Sequence, residues 1–178
     1  MVRPILLAIL VTCSNWCYAQ EQELSPLEEV TEFLQGKVWV NNMTCYGDSC
    51  INQKYYASYY YWDGTLQDYI KDGINFNALQ LSEVIYTEDS ITNQKKPTIN
   101  MSTPMLVVLS KDEQEYPTYN CLYKSESFSG FVELKMNKNL FVLKGLFNDD
   151  DTIVTMQYKK TTPPPRIKKM IQFAPAEK

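Results

Sequence analysis

The feature that most constrains this chain is its punctuation. From residue 37 to 159, short runs rich in Val, Ile, Tyr and Thr are interrupted by turn residues: Asp63-Gly64, Asp72-Gly73, Asn137-Lys138 and the longer Asn148-Asp149-Asp150-Asp151. The runs keep a two-step alternation, the spacing of strands, whose successive side chains leave opposite faces. Asp-Gly between such runs supplies the positive φ of a two-residue hairpin. The pattern predicts strands at 37–45, 54–62, 65–71, 74–86, 104–110, 118–124, 128–136, 139–147 and 152–159, with the polar stretch 87–103 as a long surface loop. The expected fold is all-β: a single antiparallel up-and-down β-barrel of about eight strands, or failing that a sandwich. Closing the sheet removes the exposed edges that so many aromatic strands would otherwise present.

One segment departs from strand spacing. In SPLEEVTEFLQGK, Ser25 can cap, Pro26 suits the first helical position and Glu28 completes a capping box. Leu27, Val30 and Leu34 recur on one face before Gly36, so a short helix leads into the first strand. At the far end, Pro163 to Pro165 stop the last strand, Arg166–Phe173 has room for a turn of helix, and 161–178 reads as a Pro-rich tail following a barrel domain at 20–160.

The first 19 residues read as a signal peptide: Arg3, an apolar run from Pro4 to Cys13, then Cys17 and Ala19 at the small positions of a cleavage site. The run is short of the roughly 20 residues that cross a bilayer, so no membrane insertion is expected and the chain is read as secreted. Beyond the leader, 16 basic residues stand against 21 acidic ones, a balance that disfavours nucleic acid and anionic membranes. In an oxidising compartment Cys45, Cys50 and Cys121 predict one disulfide and one leftover thiol. A bridge from Cys45 or Cys50 to Cys121 would close the longer loop and is the favoured pairing. Asn42-Met43-Thr44 and Asn100-Met101-Ser102 are glycosylation sequons.

There is no histidine. A histidine triad, histidine metal site and histidine acid–base chemistry are thereby excluded, and three cysteines cannot build a four-cysteine zinc site. The Asp149–Asp151 run lacks the alternation of a calcium-binding EF-hand loop and reads as a solvated turn. No catalytic residue, metal or cofactor is assigned, and the chain is not read as an enzyme.

What remains is YYASYYYW, with five tyrosines and a tryptophan in positions 55 to 62. Alternation splits it into Tyr55, Ala57, Tyr59 and Tyr61 on one face and Tyr56, Ser58, Tyr60 and Trp62 on the other. The candidate ligand-binding set is Tyr55, Tyr59 and Tyr61 with the acidic Asp63 and Glu83. In that reading the rings supply apolar area and cation-attracting faces, and a carboxyl group pairs with an amine. The competing reading is that tyrosine is a good strand former that fills a core on one side and dresses the surface on the other.

The run PLEEVTEFLQGKVWV, a short helix leading into a first strand with Trp39, resembles the lipocalins, with Gly36-Lys37-Val38-Trp39 one residue longer than their Gly-x-Trp signature. Cys50 near the second strand and Cys121 in YNCLY are similar to the cysteine placement of the divergent salivary lipocalins of ticks and other blood-feeding arthropods. The resemblance implies a hollow barrel that sequesters a small hydrophobic or amine ligand, with Trp39 packed as structure under the barrel floor. The alternative is a secreted barrel or sandwich that contacts another extracellular protein through exposed tyrosines and the 87–103 loop.

Overall fold

The computed structural model describes residues 23–52, 56–87, 98–113, 116–126, 128–146 and 152–173. Among the described residues, helix α1, Pro26–Leu34, is followed by twelve strands: β1 Val38–Tyr46, β2 Ser49–Asn52, β3 Tyr56–Tyr61, β4 Leu66–Lys71, β5 Ile74–Gln80, β6 Ser82–Thr87, β7 Thr98–Ser102, β8 Met105–Asp112, β9 Thr118–Lys124, β10 Ser129–Asn137, β11 Leu140–Leu146 and β12 Ile153–Thr161. Helix α2, Pro165–Phe173, ends the described chain. The strands form one curled, half-barrel sheet in which every pairing is antiparallel.

Twelve strands replace the expected eight or so: one predicted strand is bent in two, and β2 and β7 fall in stretches not read as strand. The predicted 74–86 strand becomes β5 and β6, separated by Leu81 alone. The predicted loop 87–103 is not wholly a loop, since Thr98–Ser102 pairs with β6 as β7. The register of β6 with β7 (Glu83↔Ser102) continues across Leu81 and Thr103-Pro104 into that of β5 with β8 (Gln80↔Met105).

The two Asp-Gly dipeptides do different jobs. Asp72-Gly73 closes the β4–β5 hairpin between Lys71 and Ile74, with both residues at positive φ. Asp63-Gly64, expected to do the same, is a bend: β3 pairs with β6 and β4 with β5, successive parts of the next strand. The cause is Trp62, whose buried ring carries its indole N–H to Thr65 O at 2.7 Å, while Asp63 Oδ1 accepts the Thr65 N–H at 2.8 Å. Local hydrogen bonds thus hold a kink rather than a reversal.

The expected long-range bridge to Cys121 is also corrected. Gly47, at positive φ, lets Gly47-Asp48 turn β1 into β2, and the register sets Cys45 opposite Cys50. Those two form the disulfide, and Cys121 is the buried free thiol. A cross-strand pair already in contact forms without any demand on a distant segment. Burial pushes the Cys121 thiol up to about 12, so it stays protonated and unreactive at neutral pH.

Helix α1 forms as expected. Ser25 N–H donates to Glu28 Oε2 at 2.7 Å and Glu28 N–H to Ser25 Oγ at 3.3 Å, the reciprocal bonds of a capping box. Its buried face, Val30 and Leu34, enters the main core with Trp39, Leu106, Leu134, Phe141 and Leu143. Phe33 stacks on Trp39 with centroids 4.8 Å apart, and Phe141 meets Trp39 edge-on at 5.1 Å. Trp39 is 1% exposed, a core residue at the end of the sheet that α1 covers. The segment read as a Pro-rich tail carries α2. Its Ile167 and Ile171 pack with Val84 on the other face of the sheet, against Val38, Tyr59 and Tyr61.

Candidate functional site

The curl of the sheet sorts the aromatic stretch into two faces. Tyr60 and Trp62 belong to the main core, 5% and 3% exposed. Tyr59 and Tyr61 lie on the opposite face beneath α2 and are only partly buried, and burial raises the Tyr59 phenol above its ordinary value. Of the predicted ligand set, Tyr55 lies outside the described residues, Tyr59 and Tyr61 support the helix, and Asp63 is exposed in the 62–65 bend. Glu83 is the member that faces inward with Tyr60, its partner across the β3–β6 ladder.

Around Glu83 the interior is not filled. A cavity of about 110 Å³ is lined by Asn41, Thr44 and Tyr46 of β1, Ser58 and Tyr60 of β3, Glu83 and Ile85 of β6, Tyr123 of β9, and Met156 and Tyr158 of β12, with Ser125 and Phe128 from the β9–β10 connection. The Glu83 carboxyl group, 6% exposed, accepts a bond from Ser58 Oγ at 2.9 Å and a second, short one from Ser102 Oγ. A carboxyl group taken out of water needs such donors. They come from the strands on either side of β6, so ladder pairing itself delivers them.

Three phenols complete the lining. Tyr60 and Tyr123 hydroxyls lie 3.1 Å apart, and the Tyr60 and Tyr158 rings meet edge-on at 4.8 Å. Burial above all, with the neighbouring phenols and Glu83 adding to it, pushes Tyr60 well above its ordinary range, and burial does the same to Tyr158. Both therefore present neutral hydroxyls at any physiological pH. Thr44 Oγ1 donates to Asn41 Oδ1 at 3.4 Å, fixing the buried amide. The arrangement offers a carboxyl group, hydroxyls that can donate or accept, and ring faces, all within one small space.

The sequence reading put Glu83 in the ligand set, placed Tyr60 and Ser58 on the other face of the strand, and did not name Tyr123, Tyr158 or Asn41. A signal for Tyr60 was present. Trp62, just before a bend, belongs in a core, and Tyr60 shares its face of the strand. Nothing local in YNCLY or TMQYKK distinguishes Tyr123 or Tyr158, which join the cavity only through sheet curvature.

The far end of the interior has a different polar device. Glu29 of α1 accepts from Lys111 Nζ of β8 at 2.8 Å and, through a short bond, from the Tyr119 hydroxyl of β9. These bonds, the lysine's first, hold the Glu29 carboxyl below its ordinary value. Burial and the same contact push the Tyr119 phenol up to about 12. The three groups tie the helix across the sheet.

Asn42 falls at the register shift of β1, and Asn100 lies on β7 opposite Ile85. The Asp149–Asp151 run lies outside the described residues. Among the described residues no group of three or more acidic or cysteine side chains could hold a metal ion, and no helix is long and apolar enough to cross a membrane. Comparison with protein-family models, with curated proteins and with solved structures found no match.

Proposed function

We propose that the chain is a secreted, lipocalin-like binding protein that holds a small ligand bearing a protonated amine, with Glu83 as its counter-ion. The carrying observation is the buried Glu83 carboxyl group opening into a small aromatic cavity. A charge-capable group is rarely buried without a task, and a cationic ligand would exchange its hydration for the carboxylate, the phenol oxygens and the ring faces. An apolar cavity of about 150 Å³ holds benzene. The smaller space here suits the amine-bearing end of a molecule whose body leaves past Tyr46 and Phe128, of which Tyr46 is exposed.

Support for a closed barrel comes from the bends. Taking β2 to β4 as one kinked strand, β5–β6 as a second and β7–β8 as a third gives eight strands in chain order, each paired with the next and the last, β12, with β1. Up-and-down connectivity of this kind is the lipocalin arrangement, with α1 across one end. The Cys45–Cys50 disulfide suits an oxidising compartment, in keeping with secretion. The acidic balance of the chain would also draw a cation toward the mouth.

Native mass spectrometry of the protein from its own source tests the reading. The expected spectrum carries an added small mass that denaturation releases. Protein that arrives empty and ignores amines, fatty acids and lipid mediators contradicts it. That outcome would favour the second reading, an extracellular protein-interaction module. Its support is the exposed Ile70, Ile74 and Phe131 beside an apolar groove on the β4–β5 hairpin.

A further inference from the structure

The outer face of the sheet is apolar in two places. Under α2, Val84, Tyr59 and Tyr61 are covered by Ile167 and Ile171. Elsewhere the register lines up Ala78, Val107, Leu122 and Phe131 as successive cross-strand partners over β5, β8, β9 and β10. Their neighbours along each strand, Leu79, Leu106, Cys121 and Val132, belong to the main core, so alternation puts this row outside. The β10–β11 register, carried one step past Val132↔Gly145, extends the row to Leu146, whose partner on β12 is Ile153. Among the described residues, no helical side chain joins the cluster that Ala78, Val107 and Leu122 form.

The β4–β5 hairpin turns part of the row into a groove. Pairing of β5 with β8 covers Ala78–Gln80, which leaves the hairpin beyond it free to bend. In sheet order β4 and β10 are four places apart, roughly 19 Å at strand spacing, yet Lys71 Nζ lies 4.8 Å from the centroid of the Phe131 ring. The hairpin therefore curls over the outer face. Its Tyr69, Ile74 and Phe76, with Val107, Leu109 and Leu122 of the sheet, line a space of about 200 Å³. A cavity of about 150 Å³ takes a benzene ring, so one phenyl group fits here. Such a ring stands at the edge of the groove itself, since Phe131 also lines it and is 63% exposed.

Knob and hole thus adjoin on one surface, the arrangement that a two-fold contact between identical chains requires. The amount of apolar surface matches as well. Ile74, Leu109, Phe131, Leu146 and Ile153 are 41% to 63% exposed. At roughly 200 Å² for a large side chain they leave on the order of 500 Å² of apolar surface in water, as much as the largest patch on a typical monomer. Taken as the apolar two-thirds of an interface, that corresponds to about 800 Å² on each copy, the size of a stable contact. Charges around the row carry both signs, Lys71, Lys124 and Lys144 with Asp72 and Glu133, so the rim suits its own image better than a partner of one sign. We infer that the protein forms a homodimer through this face, with Phe131 of each copy seated in the groove beneath the β4–β5 hairpin of the other. The contact lies outside the sheet and is independent of what the interior cavity holds.

Sedimentation equilibrium of the full chain over a wide concentration range is the test. Expected are a dimer for the parent and dimerisation weakened at least roughly a hundredfold in Phe131→Asp, since each dimer loses two anchors. Ile74→Asp, at the exposed start of β5, gives a second reading if Phe131→Asp does not fold. Ile70→Asp should change nothing, because Ile70 is exposed on the face of β4 opposite Tyr69. A monomeric parent overturns the inference, and its sedimentation with phosphatidylcholine vesicles would then give the row to a lipid surface. A dimer that survives both Phe131→Asp and Ile74→Asp overturns it too. So does a dimer that Ile70→Asp disrupts as much as Phe131→Asp does, which would move the contact to the edge of β4.

Discussion

The two ends of the interior are built from similar residues and do opposite things. At the α1 end, Phe33, Trp39 and Phe141 pack ring on ring beneath Val30 and Leu34. At the other end, Tyr60, Tyr123 and Tyr158 surround a space that holds a carboxyl group. Aromatic content alone therefore does not separate a core from a site. The difference lies in the polar atoms. Trp39 Nε1 is buried without a hydrogen-bond partner among the described residues, a cost accepted inside solid packing. The phenols near Glu83 instead hold one another and leave room.

The largest effect is expected where packing is densest. Phe141→Ala removes a ring that contacts both Trp39 and Tyr158 and should destabilise the fold by about 3–5 kcal/mol in urea unfolding. A loss below about 1 kcal/mol would show that the α1 end is not the solid half. Next comes the clip beside Tyr46 of the cavity lining. Cys45→Ser with Cys50→Ser opens a loop of sequence separation 5 and should cost about 2 kcal/mol, measured the same way, with no change in Cys121 accessibility.

Smaller again is Tyr60→Phe, which removes one hydroxyl from the cavity and leaves its ring. A loss of about 1 kcal/mol is expected, and a double-mutant cycle with Tyr123→Phe should show the two changes to be non-additive. Additive losses would mean that the phenols do not act as a pair.

The smallest effect is one of pH. Glu29 is held below 4.5 in the folded chain, so its bonds to Lys111 and Tyr119 stabilise the fold fully above that value. The contribution fades as pH falls through the lowered, folded-state value. The stability difference between the parent and Glu29→Gln should be flat from neutral pH to about 4.5 and shrink below it. A difference that grows on acidification would contradict the sign.

How much of this was legible in the sequence follows from what each feature depends on. The capping box of Ser25 and Glu28, the Asp72-Gly73 hairpin and strand β9 are set by neighbours within a few residues, and the structure places them as expected. Strand count was misjudged where one strand bends, since Leu81 and Thr103-Pro104 mark kinks that only pairing with two different partners reveals. The disulfide was misjudged because loop length was weighed before the Gly47-Asp48 turn, which sets Cys45 opposite Cys50. In the cavity, Glu83 was visible as an acidic residue near the aromatic strand. Its company of Asn41, Tyr123 and Tyr158 is a product of curvature across separate strands.

The proposed function turns on Glu83 as the group that would make this half of the interior a site for an amine. Calorimetric titration at neutral pH with phenethylamine and with the matched neutral alcohol, 2-phenylethanol, separates the two cases. The amine should bind at least roughly tenfold more tightly than the alcohol, and Glu83→Gln should abolish the preference while leaving the protein folded. Equal binding of amine and alcohol, or an amine preference that survives Glu83→Gln, would contradict it.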